Sequence, residues 1–428
     1  MPSILICCNP VESHLDPILE VARAFVRRGW RVRVLTARRF ADRVREVGAD
    51  ALPLPPGADH MDPAKDTARG IQAINDSIFD TFYAPADAQF AAIQDALATE
   101  RTDVVGGDPT FTGIVLANTL PHRPVLALAS FLPLMTTSRD TAPFGVGRPP
   151  ATSTAGRLRN RTLTWLTRHV LLRSVHRKID AFFVARGLPS LGSAFFADYF
   201  VVNDGLIDLY GQLTVEDFEY PRSDLSPLIR YFGPALPASP PDAPLPAWWH
   251  ELDGTRPVVF VTQGTVANID LGELVMPTVE ALADEDVLVV VATGTTEALP
   301  ALPRNARAAN RLPYDRLLPK VSVFVTNGGY GGLHAALSCG VPIVAAGDTQ
   351  DKVETTARVA WSGAGINLRT GRPTPQAIRE AVHDVLTNPS YREASARIGA
   401  AIAASPGCDG FAAAVEDLVA RRAQAVAS

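Results

Sequence analysis

At 428 residues the chain exceeds what one hydrophobic core ordinarily supports, so two domains are expected. Apolar residues make up 47% and charged residues 20%, a globular balance that excludes disordered and fibrous classes. The net charge of -5 and the lack of a long Lys/Arg run argue against nucleic acid or an anionic membrane as the main partner.

The start MPSILICC lacks the charged, apolar and small-residue regions of a secretion signal, and no apolar segment reads as long and unbroken enough to span a bilayer. A cytoplasmic location is therefore expected. SILICC reads as a strand, DPILEVARAFVRRG as a helix closing on Gly29, and WRVRVLTA as a second strand, so the chain opens with a βαβ unit. The arginines of VRRGWRVRVLTARR read as solvated faces. The alternation continues through AAIQDALATE, TDVVGGD, FTGIVLANTL and RPVLALAS, which predicts a parallel sheet covered by helices. A proline-rich, helical middle follows. RYFGPALPASPPDAPLPAWW has the densest proline and reads as a linker. Behind it RPVVFVTQGT, ELVMPTVEALADE, DVLVVVATGT, VSVFVTNGG and VPIVAAGDT restart the pattern. The expected architecture is α/β, two doubly wound parallel-sheet (Rossmann-like) domains facing across a cleft. The boundaries are residues 1–230, a linker at 231–250, a second domain at 251–405 and a terminal helix at 406–428. Cys7, Cys8, Cys339 and Cys408 show no metal-ligand spacing and suit a reducing compartment.

Two stretches at strand ends carry the chemistry. TNGGYGGLHAAL, from Thr326, places Gly328, Gly329, Gly331 and Gly332 where a strand hands over to a helix. Free backbone N–H groups and the helix dipole there favour an anion, and the missing side chains let a phosphate approach. Asn327 caps that helix or bonds a phosphate oxygen. VTQGTVAN adds Gly264 and Thr265 at a second strand end, and the two ends together suit a diphosphate. The bland reading is a pair of tight loops. No G-x-x-x-x-G-K-[ST] occurs, and NPVESHLDP, not a Gly-rich fingerprint, follows the first strand. Asp284, Glu285 and Asp286 read as a solvated turn, and no metal site is expected.

In NPVESHLDPIL, Ser13 reads as an N-cap with Asp16 three residues on, which puts His14 in the first helical turn at the end of the first strand. There the helix dipole disfavours the imidazolium, and His14 can accept a proton. Asp108, in TDVVGGDPTF, ends a later strand and can hold the far ring nitrogen. The bland alternative is ordinary capping chemistry.

These residues carry a resemblance. ESHLDP, GGDPTF and, most specifically, RLPYDRLLPKVSVFVTNGGYGGLHAALSCGVPIV with GDTQDKVETTARVAWSGAGINL resemble the bacterial family-one nucleotide-sugar-dependent glycosyltransferases of GT-B fold. The resemblance implies metal-independent, inverting transfer of a sugar to a hydroxyl, with no cofactor and UDP-glucose ahead of a thymidine-linked sugar as co-substrate. It implies that His14 is the base and Asp108 its partner. Gly264, Thr265, Asn327, Gly328, Gly329, Tyr330, Gly331 and Gly332 would hold the diphosphate, Arg311 and Leu312 would flank the nucleobase, and Asp351 and Lys352 would bond the sugar hydroxyls. Phe82, Phe111, Phe131 and Phe144 would line a pocket for a lipophilic natural product such as a macrolide, an ansamycin, another polyketide or a flavonoid. By spacing alone such aromatics are more often core residues than ligand contacts. Four positions depart from the family: Asn327 for a histidine, Ala335 for a ribose-binding glutamate with His334 its nearest substitute, Ser13 for glycine, and Lys352 for an amide. The rival readings are a catalytically silent GT-B relative acting as a binding or auxiliary protein, and a sugar-nucleotide epimerase.

Overall fold

The structure is a computed structural model that describes residues 1–59, 70–240, 242–264, 270–295 and 300–427. The described strands form two sheets, and every pair is parallel. The first sheet comprises β1 (Ser3–Cys7), β2 (Arg31–Thr36), β3 (Asp50–Pro53), β4 (Val104–Gly107), β5 (Val125–Ser130), β6 (Leu209–Gln212) and β7 (Ile229–Tyr231), in the order β3-β2-β1-β4-β5-β6-β7. The second comprises β8 (Val258–Thr262), β9 (Leu288–Ala292), β10 (Ala306–Ala309), β11 (Val323–Thr326), β12 (Ile343–Ala345) and β13 (Gly365–Asn367), in the order β10-β9-β8-β11-β12-β13. This is the GT-B architecture, two doubly wound sheets in one chain.

The central strands are buried on both faces, which is why VVFVT and LVVVA run apolar without alternation. Successive residues of β8 face opposite ways. Val258 and Phe260 enter a core with Leu333 and Ile343, whereas Val259 and Val261 enter another with Val279 and Val382. The first sheet divides likewise between a core around Phe25 and Val34 and one around Phe111 and Leu126.

The chain crosses between the domains twice. Past β7 the proline-rich segment leads to the turn Ala247–Glu251, where Trp248 and Trp249 pack against the second domain. The last helix, Gly407–Ala427, returns to the first domain, where Phe411 joins the Phe25 core and Trp30 Nε1 donates to Glu416 Oε1 at 2.8 Å.

Two sequence expectations need correction. The first helix is Glu12–Arg27 with Val11 at its N-cap, so Ser13 lies within the first turn and caps nothing. Arg33 is not solvated, because its place on an inner strand buries it, and it donates to the Ala96 carbonyl at 2.8 Å. The stretch Pro389–Ala425 reaches bilayer-spanning length and apolar composition only when two helices, Pro389–Ala404 and Gly407–Ala427, are taken together across the break at Ser405. Its apolar residues pack into both domains, Ile398 and Ile402 in the second and Phe411 and Val415 in the first.

Candidate active site

Strand order locates the site before any side chain does. In an open parallel sheet the ligand crevice lies at the carboxyl ends of the two strands where the winding reverses. In the first sheet those strands are β1 and β4, and His14 follows one while Asp108 follows the other.

Gly107 brings them together. Its φ is +118°, and a Cβ there would run into the Cys7 carbonyl. Without one, β4 lies close against β1 and the Asp108 amide bonds Cys7 O at 3.0 Å. The Asp108 carboxylate is fully buried and its Oδ2 lies 2.7 Å from His14 Nδ1. Its Oδ1 accepts from the Thr110 amide at 2.8 Å and the Thr110 hydroxyl at 2.6 Å. Burial pushes the Asp108 carboxyl up, but His14 and the Thr110 bonds outweigh it and hold the group below the usual carboxylate range. An ionised Asp108 engages Nδ1 of the imidazole, which leaves Nε2 for the cavity side. The ring also meets the edge of Phe131, with centroids 4.9 Å apart.

In the second sheet the winding reverses between β8 and β11, and both of these strand ends carry glycine. Gly264 has φ +77° and Gly328 φ +90°. The helix Tyr330–Ser338 starts at once, with Gly329 as N-cap. Leu333 N bonds Gly329 O, so the amides of Tyr330, Gly331 and Gly332 precede the first intrahelical bond and are free for an anion. Asn327 Nδ2 donates to the Gln263 carbonyl, tying the two strand ends together. The Thr355 hydroxyl holds Gly328 O at 2.6 Å. Asp351 stands at the N-cap position of the helix Lys352–Trp361 without a side-chain capping bond, and burial pushes its carboxyl up against the pull of Lys352. The site residues of the two domains thus line opposite sides of one cleft.

One cavity of about 2390 Å³ joins them, lined by both domains. That is more than twice the roughly 300–1,000 Å³ of a typical small-molecule site, room for two substrates. His14, Gly264, Arg311, Leu312, Asn327, Gly329, Tyr330, Gly331, Gly332, Asp351 and Lys352 line it, as do Phe82, Phe131 and Phe144. Asp108 and Gly328 lie behind the wall, and Thr265 falls outside the described residues. Phe111 is the exception among the aromatics. It is a core residue packed with Leu126 and Ile114, so its assignment to the pocket is corrected.

Other residues are placed in ways their types did not suggest. Tyr330 is buried, its ring stacked on Phe218 at 5.9 Å, so what it brings to the site is its amide. Arg311 pairs with Glu12 of the opposite domain at 3.0 Å, spanning the mouth of the cleft. Lys352 is buried with its ammonium on Gln350 Oε1 at 3.1 Å. His334 also lines the cavity, with its Nε2 engaged by the Thr214 hydroxyl at 2.7 Å. Sequence reasoning missed Phe195, Phe196 and Phe200, which add an apolar wall, although the run FFADYF was a visible signal. Among the described residues no cluster of His, Cys, Asp and Glu could hold a metal ion.

A helix-covered pair of parallel sheets, a buried His–Asp dyad on one side and glycine-rich helix starts on the other define a nucleotide-sugar-type group transferase. Residues 273–418 match the family described as "Erythromycin biosynthesis protein CIII-like, C-terminal domain". The chain is 40% identical over 402 residues to the 4'-demethylrebeccamycin synthase of Lentzea aerocolonigenes, covering 92% of this chain and 94% of the relative. It is 32% identical to UDP-glucosyltransferase 1 of Beauveria bassiana, over 91% of this chain and 89% of that one. The solved structure of the glycotransferase of kitacinnamycin superposes with a TM-score of 0.72 at 23% identity, over 97% of this chain and 99% of that one. The protein belongs to this family of GT-B glycosyltransferases and is a glycosyltransferase.

Proposed function

We propose that the protein is an inverting O-glycosyltransferase that moves glucose from UDP-glucose to a hydroxyl of a lipophilic natural product. The observation that carries this reading is the His14–Asp108 pair opening on the same cavity as the free amides of Tyr330, Gly331 and Gly332. His14 Nε2 takes the proton of the acceptor hydroxyl while the oxygen attacks the anomeric carbon opposite the departing nucleotide. Asp108 stays ionised and steadies the imidazolium that forms. The bond to the diphosphate breaks through an oxocarbenium-like state, and the anomeric configuration inverts. Charge growing on the leaving oxygen is met by the three amides and the helix dipole, which are oriented before the reaction begins.

Donor specificity falls to the second domain. Arg311 and Leu312 flank the nucleobase, and Asp351 and Lys352 bond the sugar hydroxyls. UDP-glucose is favoured by the name of the Beauveria bassiana relative, a UDP-glucosyltransferase, and a natural-product acceptor by that of the Lentzea aerocolonigenes relative, a 4'-demethylrebeccamycin synthase. Phe82, Phe131, Phe144 and the Phe195–Phe196 wall supply the apolar surface that a macrolide, an ansamycin, another polyketide or a flavonoid requires.

The test is release of nucleoside diphosphate from UDP-glucose and from dTDP-glucose, with a panel of such acceptors, in the wild type and in His14→Ala. Acceptor-dependent release with UDP-glucose, falling on the order of a hundredfold or more in the variant, is the expected result. Binding of neither donor overturns the reading.

A further inference from the structure

The charge balance of the whole chain conceals one segment. Between Asp140 and Asp180 there is no acidic residue, whereas seven arginines and one lysine occur there, in a protein of net charge -5. The helix Thr154–Leu166 and the π-helical turn Thr167–Leu171 that continues it form the outer part of this segment.

Their outward side is apolar. Leu158, Trp165, Leu166 and Val170 fall at i, i+7, i+8 and i+12, one face of a helix. Trp165 is 57% exposed and Leu158 64%. With Leu171 they make five of the eleven exposed large apolar side chains among the described residues. Arginines flank the stripe, and Arg161, Arg173 and Arg177 form no ion pair among the described residues. Next to it stand Ile71, Ile74 and Leu171, each exposed and each also lining the cavity, so the stripe runs into the cavity's lip. The Asn75 side chain, which donates to Leu171 O at 2.7 Å, fixes that junction.

We propose that this face docks on an anionic lipid bilayer. An exposed tryptophan within an aliphatic stripe, with unpaired arginines beside it, is the composition of a helix lying in a membrane interface. Each arginine near an anionic surface adds attraction that salt screens. The docked cavity opens toward the bilayer, where a lipophilic acceptor concentrates. This consequence for the acceptor rests on the transferase reading, but the docking itself does not.

The test is flotation of the full chain with vesicles of phosphatidylcholine and phosphatidylglycerol in equal parts and with phosphatidylcholine alone. The wild type should float with the first, and high salt should release it. Leu158→Ser with Trp165→Ser should weaken flotation about tenfold or more, and Arg161→Glu roughly fivefold, with unchanged thermal unfolding because the sites are exposed. Failure of the wild type to float, or flotation indifferent to these variants, overturns the proposal. So does a dimer in solution that the Trp165→Ser variant dissociates, since the face then belongs to a second copy of the chain. These readouts involve neither donor nor acceptor, so failure of the transferase reading leaves them intact.

Discussion

Arg358, Glu219 and Glu354 form a charged cluster that is closed on every side, whereas the pair His14 and Asp108 is closed on one side only. Arg358, from the helix Lys352–Trp361 of the second domain, donates through Nε to Glu219 Oε1 of the first at 2.8 Å and through Nη1 to Glu354 Oε2 at 3.0 Å. Glu219 Oε2 accepts the Leu134 amide at 3.0 Å, and Glu354 Oε1 accepts the amides of Gly145 and Gly147 at 2.9 and 2.8 Å. Burial would lower the Arg358 guanidinium, but Glu219 and Glu354 raise it further. Asp108 is as deeply buried and as well bonded, yet its partner His14 keeps one nitrogen for the cavity. A saturated ion cluster can only hold things in place. A dyad with one nitrogen facing a substrate cavity can hold a proton and pass it on.

The comparison breaks most visibly at Arg358. Arg358→Met removes the cation and leaves two buried carboxylates, so unfolding in urea should show a loss of about 3–5 kcal/mol. His14→Ala should do the reverse. Turnover should fall on the order of a hundredfold to ten-thousandfold while the urea midpoint barely moves, because the ring borders a cavity and its loss opens no new void. A large stability loss in His14→Ala would make the dyad structural, like the Arg358 cluster.

A pH dependence sharpens the contrast between buried groups. Burial pulls the His334 imidazole down from 6.5 to about 4, outweighing its bond to the Tyr330 backbone. Between those values the unfolded chain binds a proton that the folded chain refuses, so stability is full above about 6.5 and falls as pH drops toward 4. At roughly 1.4 kcal/mol per pH unit, the loss across the window is about 3 kcal/mol. His334→Gln, which keeps a bond to Thr214, should flatten that slope in unfolding measured from neutral pH downward. Asp108 behaves differently. Its native value lies below the ordinary 3.8, so its contribution persists through the His334 window and is lost only at more acid pH.

How much of this could be read from sequence depends on where each group sits. The inner strands β1, β4, β5, β8, β9, β11 and β12 stand out as apolar segments because helices cover both of their faces, whereas the inner strand β6, LYGQ, is too short and polar to stand out from the proline-rich middle around it. The edge strands β3, β7, β10 and β13, with sequences such as ARAA and GIN, do not stand out either, because a short strand with one neighbour is barely more apolar than a loop. His14 and Asp108 were legible because each follows an apolar strand directly, and parallel winding brings such ends together. The Arg358–Glu219 pair was not, since 139 residues separate its members and no local pattern links them. Phe111 was misplaced because spacing tells that an aromatic is apolar but not which face of its element it occupies.

The finest test separates two glycines in one run. Gly328 holds φ +90°, and an added Cβ would sit 2.5 Å from Thr356 Cγ2, so Gly328→Ala should cost about 1–3 kcal/mol of stability. Gly331 lies in the first turn of a helix with ordinary φ, and an added Cβ there meets nothing within 4 Å. Gly331→Ala should leave unfolding unchanged or slightly improved, since alanine suits a helix better than glycine. Its methyl group nonetheless enters the cavity beside the free amides, where a phosphate oxygen would stand. The KM for the nucleotide sugar should rise about tenfold, roughly 1.4 kcal/mol of lost binding, while the acceptor KM stays put. An unchanged donor KM in Gly331→Ala, in a protein of undiminished stability, would move the diphosphate away from this helix start and leave the glycine run with a purely conformational role.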